Sequence, residues 1–481
     1  MLSAHRSRFS RRALLGGAVG TAMGAILAAC GSESPTAPTV TTGGTVATAQ
    51  PQAITGNTAV TAAKANYPSP LPAGTTVNIV FESYNLATVG IGKDGTQQLI
   101  DEFNAAHPNI KVEGRAASST DIITKAQAEV VAGMPPDVLQ GVFGDLDFII
   151  NDLKANAVED LVPPDEFTAY TGGPYPLSPN GLKLGALNGK TYGVPYTFST
   201  PTLFYNADLL TAAGLDPAKP PTTWAETKQY ALQIKQKTGK EGVIVAGIGP
   251  NGEWLYQSLV RSNGGRVLSE DRKTVTFAQP DAVGAVQMVQ DLVQSGAHPK
   301  LNSADGITAF SGGSVGLYLQ SSAIQAALIN ASTGKWALRA AKMPAFTGKP
   351  AVPTNSGSGL FILAKDPLKQ RAAWEFMKFV TSEHGYTIIT SKIGYLPLRP
   401  GIVDDDRYLK AWAEQHPLVQ PNIEQLKTLE PWVAFPGSNY RQIVDIETKA
   451  VEDVAYNGAN AETTLKAAQD RSQQLMPKSS P

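Results

Sequence analysis

From residue 76 onward, short runs of alternating apolar and polar side chains give way repeatedly to runs with apolar residues three and four apart. That alternation of periods predicts strands and helices in turn. Thr76-Val77-Asn78-Ile79-Val80-Phe81 has period two and predicts a first strand. Leu99, Ile100 and Phe103 share one face of a helix predicted over 97–106, and His107-Pro108 stops it because proline disfavours a helical residue before it. Ile110-Lys111-Val112 predicts the second strand, and Met134-Pro135-Pro136-Asp137-Val138-Leu139 a turn into a third. Thr202-Leu203-Phe204-Tyr205 is β-branched and aromatic, and reads as a strand bounded by Pro201. Asn206 and Asp208 turn it into a short helix ending at Gly214. Pro217, Pro220 and Pro221 forbid helix, and Thr223-x-x-Glu226 is a capping box that restarts one. A strand over 243–245, helices over 254–261 and 282–293, and a helix over 367–380 that buries Trp374, Phe376, Met377 and Val380 continue the α/β pattern.

The first 74 residues break it. Arg6, Arg8, Arg11 and Arg12 form a basic head before an apolar, glycine-diluted run over 13–29. Such a segment is a targeting signal rather than part of the fold. Ser10-Arg11-Arg12-Ala13-Leu14-Leu15 resembles a twin-arginine export signal, and Leu27-Ala28-Ala29-Cys30-Gly31 resembles a lipobox, in which the Cys30 thiol takes the lipid. Residues 31–74 are rich in Thr, Ala, Pro and Gly and have few large apolar side chains, so they predict a disordered tether. Its r.m.s. reach is about 35–40 Å.

Composition narrows the function. A chain of 481 residues suits two lobes plus extras, and 42% hydrophobic content supports substantial cores. With net charge -1 and no basic block, nothing points to nucleic acid. The lone cysteine excludes an internal disulfide and a cysteine metal cluster, and no histidine pair has metal-ligand spacing. Gly247-Ile248-Gly249-Pro250-Asn251-Gly252 satisfies G-x-G-x-x-G after a strand and before a helix, which keeps an exported nucleotide-cofactor oxidoreductase as a rival reading. Pro250 weighs against it, because it deletes an amide that would face the pyrophosphate. Gly312-Gly313-Ser314-Val315-Gly316 satisfies G-x-S-x-G, but the apolar run Leu317-Tyr318-Leu319 follows the turn where a nucleophile elbow needs a helix, so Ser314 reads as a turn residue.

The stretch Ser199-Thr200-Pro201 through Pro220-Pro221-Thr222-Thr223-Trp224 resembles the crossover of the extracellular solute-binding proteins (family 1) of ATP-binding cassette sugar importers, most of all their glycerol-phosphate-binding branch. Phe103 to Val112, the Gly133-Met134-Pro135-Pro136-Asp137-Val138 turn, the Gly189 to Tyr196 hairpin, the Phe310 to Leu319 return strand, Asn355 to Leu363 and Gly394-Tyr395-Leu396-Pro397 are similar to further marks of that family. The resemblance implies a two-lobed periplasmic-binding-protein fold with three interlobe crossings, near 202–205, 317–321 and 357–363. Residues 75–202 and 322–357 would form the first lobe, 203–321 and 358–475 the second. It further implies a monomer, lipid-anchored outside the cell membrane, that binds a sugar, polyol or glycerophosphodiester and hands it to a permease, with no cofactor and no catalysis. A lipoprotein that senses a solute is the remaining alternative.

Site residues follow from the same resemblance. Ser199 corresponds to the serine before the crossover, Ser321 or Ser322 to the serine after the return strand, Gly357 to the glycine of the third crossing, Tyr395 to the post-helix tyrosine and Trp254 to the second-lobe tryptophan. Ser119 and Phe143 stand where the glycerol-phosphate branch has Tyr and Glu, with Asp145 close by, and Arg441 lies near its C-terminal arginine. An aromatic at Phe143 removes an acceptor and adds an apolar face, so the expected solute is neutral or zwitterionic rather than free glycerol phosphate. Trp432 is another aromatic at an element edge where stacking chemistry could sit.

Overall fold

The computed structural model describes residues 71–87, 91–119, 121–249, 252–301 and 303–478. The expected export signal, Cys30 and nearly all of the expected tether lie outside the described residues.

The period-two runs pair into two main sheets. In chain order the strands are β1 (Val77–Ser83), β2 (Ile110–Ala116), β3 (Val138–Val142), β4 (Gly193–Ser199), β5 (Pro201–Asn206), β6 (Glu241–Val245), β7 (Val315–Ser321), β8 (Leu338–Lys342) and β9 (Ser356–Ile362). Among the described residues, the five-stranded sheet has the order β2-β1-β3-β9-β4 and the four-stranded sheet β8-β5-β7-β6, with a separate two-residue hairpin pairing Ala186–Leu187 with Lys190–Thr191. In the first, β1 runs parallel to β2 and β3, while β9 runs antiparallel to β3 and β4. The helices needed below are α1 (Ile91–Ala106), α2 (Trp224–Thr238), α3 (Glu253–Ser262), α4 (Pro280–Gln294), α5 (Pro367–Val380), α6 (Gln420–Gln425), α7 (Tyr440–Asn457) and α8 (Ala461–Leu475). Local signals are realised in detail. Asn206 accepts from the amides of Asp208 and Leu209, and Thr223 and Glu226 form both halves of the capping box of α2.

Each sheet has its own core. Both faces of the first sheet are covered, so Val138, Leu360 and Ile362 enter one cluster with Phe103 and Trp374, whereas Leu139 and Phe361 enter another with Ile122 and Ile149. The second sheet packs Leu203, Ile244 and Tyr318 with residues of α3, α4, α7 and α8. The molecule is thus an α/β protein of two lobes.

Two expectations about lobe membership need correction. Residues 338–342 do not return to the first lobe, because β8 pairs antiparallel with β5 in the second sheet, Leu338 opposite Asn206 through Lys342 opposite Thr202. Residues from 358 do not enter the second lobe either. Strand β9 lies between β3 and β4, and α5 buries Trp374, Phe376, Met377 and Val380 in the first core. Among the described residues the chain passes between sheets three times, but at Ser199–Pro201, between β8 and β9, and between Leu429 and Phe435. Trp432, in the last passage, packs against both cores.

The first two passages are tied by buried side chains. Thr200 and Ser322 exchange two hydrogen bonds, with Ser322 N–H donating to Thr200 O at 2.9 Å and Thr200 N–H donating to Ser322 Oγ at 3.2 Å. Asn422 Oδ1, on α6, accepts from the hydroxyls of Thr200, at 2.9 Å, and Thr202. Gln425 donates to Pro201 O at 2.9 Å and accepts from Met343 N–H at 2.8 Å.

Candidate functional site

A cavity of about 660 Å³ lies where the two lobes meet. Its position follows from topology: Tyr84 comes directly after β1, and Val142, Gly144 and Asp145 from the end of β3, the carboxyl edge of parallel strands where open α/β sheets form their crevice. Ser199, Ser356 and Gly357 line it from the first passage and β9. The second lobe supplies Glu253 and Trp254 at the start of α3, Ser321 at the end of β7, and one face of α7. That face is Arg441, Val444, Asp445 and Thr448, spaced as one side of a helix. Trp432 and Tyr440 close the wall with ring centroids 6.1 Å apart at 76°.

The first-lobe wall rests on a buried polar chain. Tyr84 Oη and Thr197 Oγ1 lie 3.0 Å apart, Thr197 Oγ1 and Ser358 Oγ 2.6 Å, and Gln140 Nε2 donates to Ser358 Oγ at 3.0 Å. Burial raises the Tyr84 hydroxyl, so it stays neutral. Gly357 has φ +140° and a Cβ there would lie 2.0 Å from Thr197 O, so only glycine lets β9 follow β4 here.

Two ion pairs bridge the lobes at this edge. Arg441 Nη2 lies 3.2 Å from Asp145 Oδ2, and Arg272 Nη2 lies 2.5 Å from Asp147 Oδ2. Burial pushes the Asp145 carboxyl up while Arg441 pulls it back. Glu253 is raised by burial, with Asp445 adding to it, and its Oε2 is buried without a hydrogen-bond partner. On the core face of α7, Glu447 is fully buried with neither oxygen partnered, and burial, with Glu253 adding, pushes it up to about 8. The indole N–H of Trp432 is also buried without a partner.

Of the residues singled out in the sequence, Ser119, Asp145, Ser199, Trp254, Ser321, Gly357, Tyr395 and Arg441 all line this cavity. Two do not. The Phe143 ring is buried in the first core, where a Cβ on Gly359 would meet it at 3.1 Å, so it offers no face to a solute. Ser322 is buried at the first passage and holds Thr200, which decides the Ser321-or-Ser322 alternative in favour of Ser321 as the lining serine. Sequence reasoning missed Tyr84, Glu253, Tyr440, Asp445 and Thr448. The helical spacing of 441, 444, 445 and 448 was the available signal. Ser314 is a turn residue whose hydroxyl donates to Ala309 O at 2.7 Å.

A two-lobed α/β molecule with an aromatic, partly unpaired polar cavity between its lobes is built to hold a small solute. The chain matches the family described as bacterial extracellular solute-binding protein over residues 98–417, and it belongs to that family. It is 23% identical over 402 residues to the sn-glycerol-3-phosphate-binding periplasmic protein of Pectobacterium atrosepticum, covering 80% of this chain and 88% of the relative. Among solved structures, the cyclic alpha-maltosyl-1,6-maltose binding protein of Arthrobacter globiformis aligns with TM-score 0.72 at 22% identity, over 83% of this chain and 99% of that one. UgpB of Mycobacterium tuberculosis, solved with glycerophosphocholine, aligns with TM-score 0.72 at 22% identity, over 83% and 98%. The chain is therefore an extracytoplasmic solute-binding protein rather than an enzyme.

Proposed function

We propose that this protein is the lipid-anchored binding component of an ATP-binding cassette importer and captures a sugar, polyol or glycerophosphodiester between its lobes. The cavity carries this reading, because its wall is divided between the lobes and combines aromatic rings with polar atoms that lack partners. Sugar rings and polyols present C–H faces to Trp and Tyr and hydroxyls to serines and carboxylates. The names of the relatives, a glycerol-phosphate binder and a maltosyl-maltose binder, bracket the same chemistry. A free phosphate dianion fits less well. Arg441 is the one cation lining the cavity among the described residues, and Asp145 already engages it. A buried anion without cationic or amide partners costs several kcal/mol.

A solute touching both lobes favours the arrangement in which both contact it, by its differential affinity. Calorimetry with a panel of sugars, polyols and glycerophosphodiesters tests the reading. A member should bind, compact the protein in small-angle scattering, and lose about 1–3 kcal/mol when Trp254 is replaced by Ala. Tight binding of free glycerol phosphate that ignores Trp254→Ala but is lost on Arg441→Ala would overturn it.

A further inference from the structure

Taking the cleft as the solute site, we infer that the solute carries a positive charge, a protonated amine or a quaternary ammonium, seated against Glu253 and Asp445 among the rings of Trp254, Trp432 and Tyr440. Charge is the first observation. Three carboxylates line the cavity, Asp145, Glu253 and Asp445, against one cation among its described residues, Arg441. Arg441 pairs with Asp145, so two carboxylates remain without a cationic partner in the wall. The other cations nearby are committed elsewhere: Arg272 pairs with Asp147, and Lys449, next on α7, pairs with Asp453.

Satisfaction is the second. Glu253 Oε2 is buried in this wall with no hydrogen-bond partner. A buried carboxylate oxygen of that kind is expensive to leave alone and is repaid by a donor that arrives with the ligand. The third is the company it keeps. Trp254 follows Glu253 directly, Tyr440 lies close enough to feel the Glu253 and Asp145 charges, and Trp432 packs edge-on to Tyr440. Aromatic faces and carboxylates together bind ammonium groups, the rings through their negative quadrupole and the acids through charge.

The shared chemistry, a hydroxylated solute with one cationic nitrogen, comes from two sources, amino sugars and choline esters of glycerol phosphate. Matched pairs separate them: glucosamine against glucose, and glycerophosphocholine against glycerol 3-phosphate, each titrated calorimetrically at low and high salt. The cationic member of one pair should bind at least tenfold more tightly than its partner, with the advantage shrinking in salt. Glu253→Gln keeps the shape and removes the charge, and should erase most of that tenfold preference. Titration of the unaltered protein in buffers of different ionisation enthalpy gives a second readout that does not depend on the variant. A cation beside Glu253 favours its ionised form, so binding should release protons. Equal affinity for both members of each pair, a preference that survives Glu253→Gln, or proton uptake on binding would overturn the charge assignment while leaving the cleft as the solute site. No binding by any of the four would overturn both readings.

Discussion

Replacing Glu447 with Gln should make the protein more stable, and by an amount that grows with pH. Glu447 lies on the core face of α7, fully buried, with both carboxyl oxygens unpartnered. Burial raises its pKa from 4.5 to about 8, and the neighbouring Glu253 adds to the rise. The folded state therefore keeps a proton that the unfolded state has lost over that interval. Stability from this group is fully present below pH 4.5 and declines as pH rises toward 8. Linkage puts the loss at about 3 kcal/mol at pH 7 and about 5 kcal/mol once pH passes 8. Gln copies the shape of the protonated acid and has no charge to desolvate at any pH. Urea unfolding of both proteins at pH 4.5, 6, 7 and 8.5 should start with nearly equal midpoints and diverge steadily. A difference that stays constant across this range would refute the argument, because it would mean that Glu447 titrates alike in both states.

Three other changes probe separate links. Gly357→Ala places a Cβ 2.0 Å from Thr197 O at a φ that L-residues avoid, so it should cost about 3 kcal/mol or more, and an unchanged melting temperature would sink the account. Asn422→Ala removes the acceptor shared by the buried hydroxyls of Thr200 and Thr202, leaving them only contacts at 3.4–3.5 Å, and should cost about 1–3 kcal/mol by denaturant unfolding. Cys30→Ser should move the exported protein from the detergent phase to the aqueous phase, since the thiol is the lipid acceptor on our reading. An unchanged partition would dispose of the lipobox.

Local signals were legible and pairing was not. The cap at Asn206, the capping box at Thr223 and Glu226, and the proline stop at Pro108 involve residues within four positions of each other, and the structure realises them. Which sheet a strand joins can be decided by a partner far along the chain, as for β8 and β5. Nothing within Leu338–Lys342 says that its partner is Pro201–Asn206 rather than a strand of the first lobe. Phe143 failed for a smaller reason. The chain leaves β3 at Val142 into a 3-10 turn over Phe143–Asp145, which brings Val142, Gly144 and Asp145 to the cavity and turns the Phe143 ring into the core. Nothing local in the sequence marks that turn, so a core ring looks like a ligand contact. The acidic wall was hidden because Glu253 and Asp445, nearly two hundred residues apart, are ordinary first-turn and surface acids until two helices bring them to one cavity.

Helix α7 joins the two lines of reasoning about charge. Its cavity face carries Arg441 and Asp445, and its core face carries Glu447, only two residues on. Burial raises both Glu447 and Glu253 most, and Glu253 acts on both sides, since its charge adds to the rise of Glu447 and Asp445 adds to its own. Carboxylates so arranged repel one another, and the helix is most comfortable when at least one keeps its proton. A cation in the cavity would change that balance at its source. By compensating Glu253 it would remove part of the field that Glu447 feels, and the cost of ionising the core acid would fall with it. On this reading the stabilisation given by a bound cationic solute should be larger at pH 8 than at pH 5, where Glu253 and Glu447, both raised by burial, are less ionised. A neutral solute in the same cavity would dry these acids without compensating them, and its stabilisation would shrink as pH rises. The opposite slopes follow from the wall alone: two acids without a cationic partner, beside a third that is fully buried.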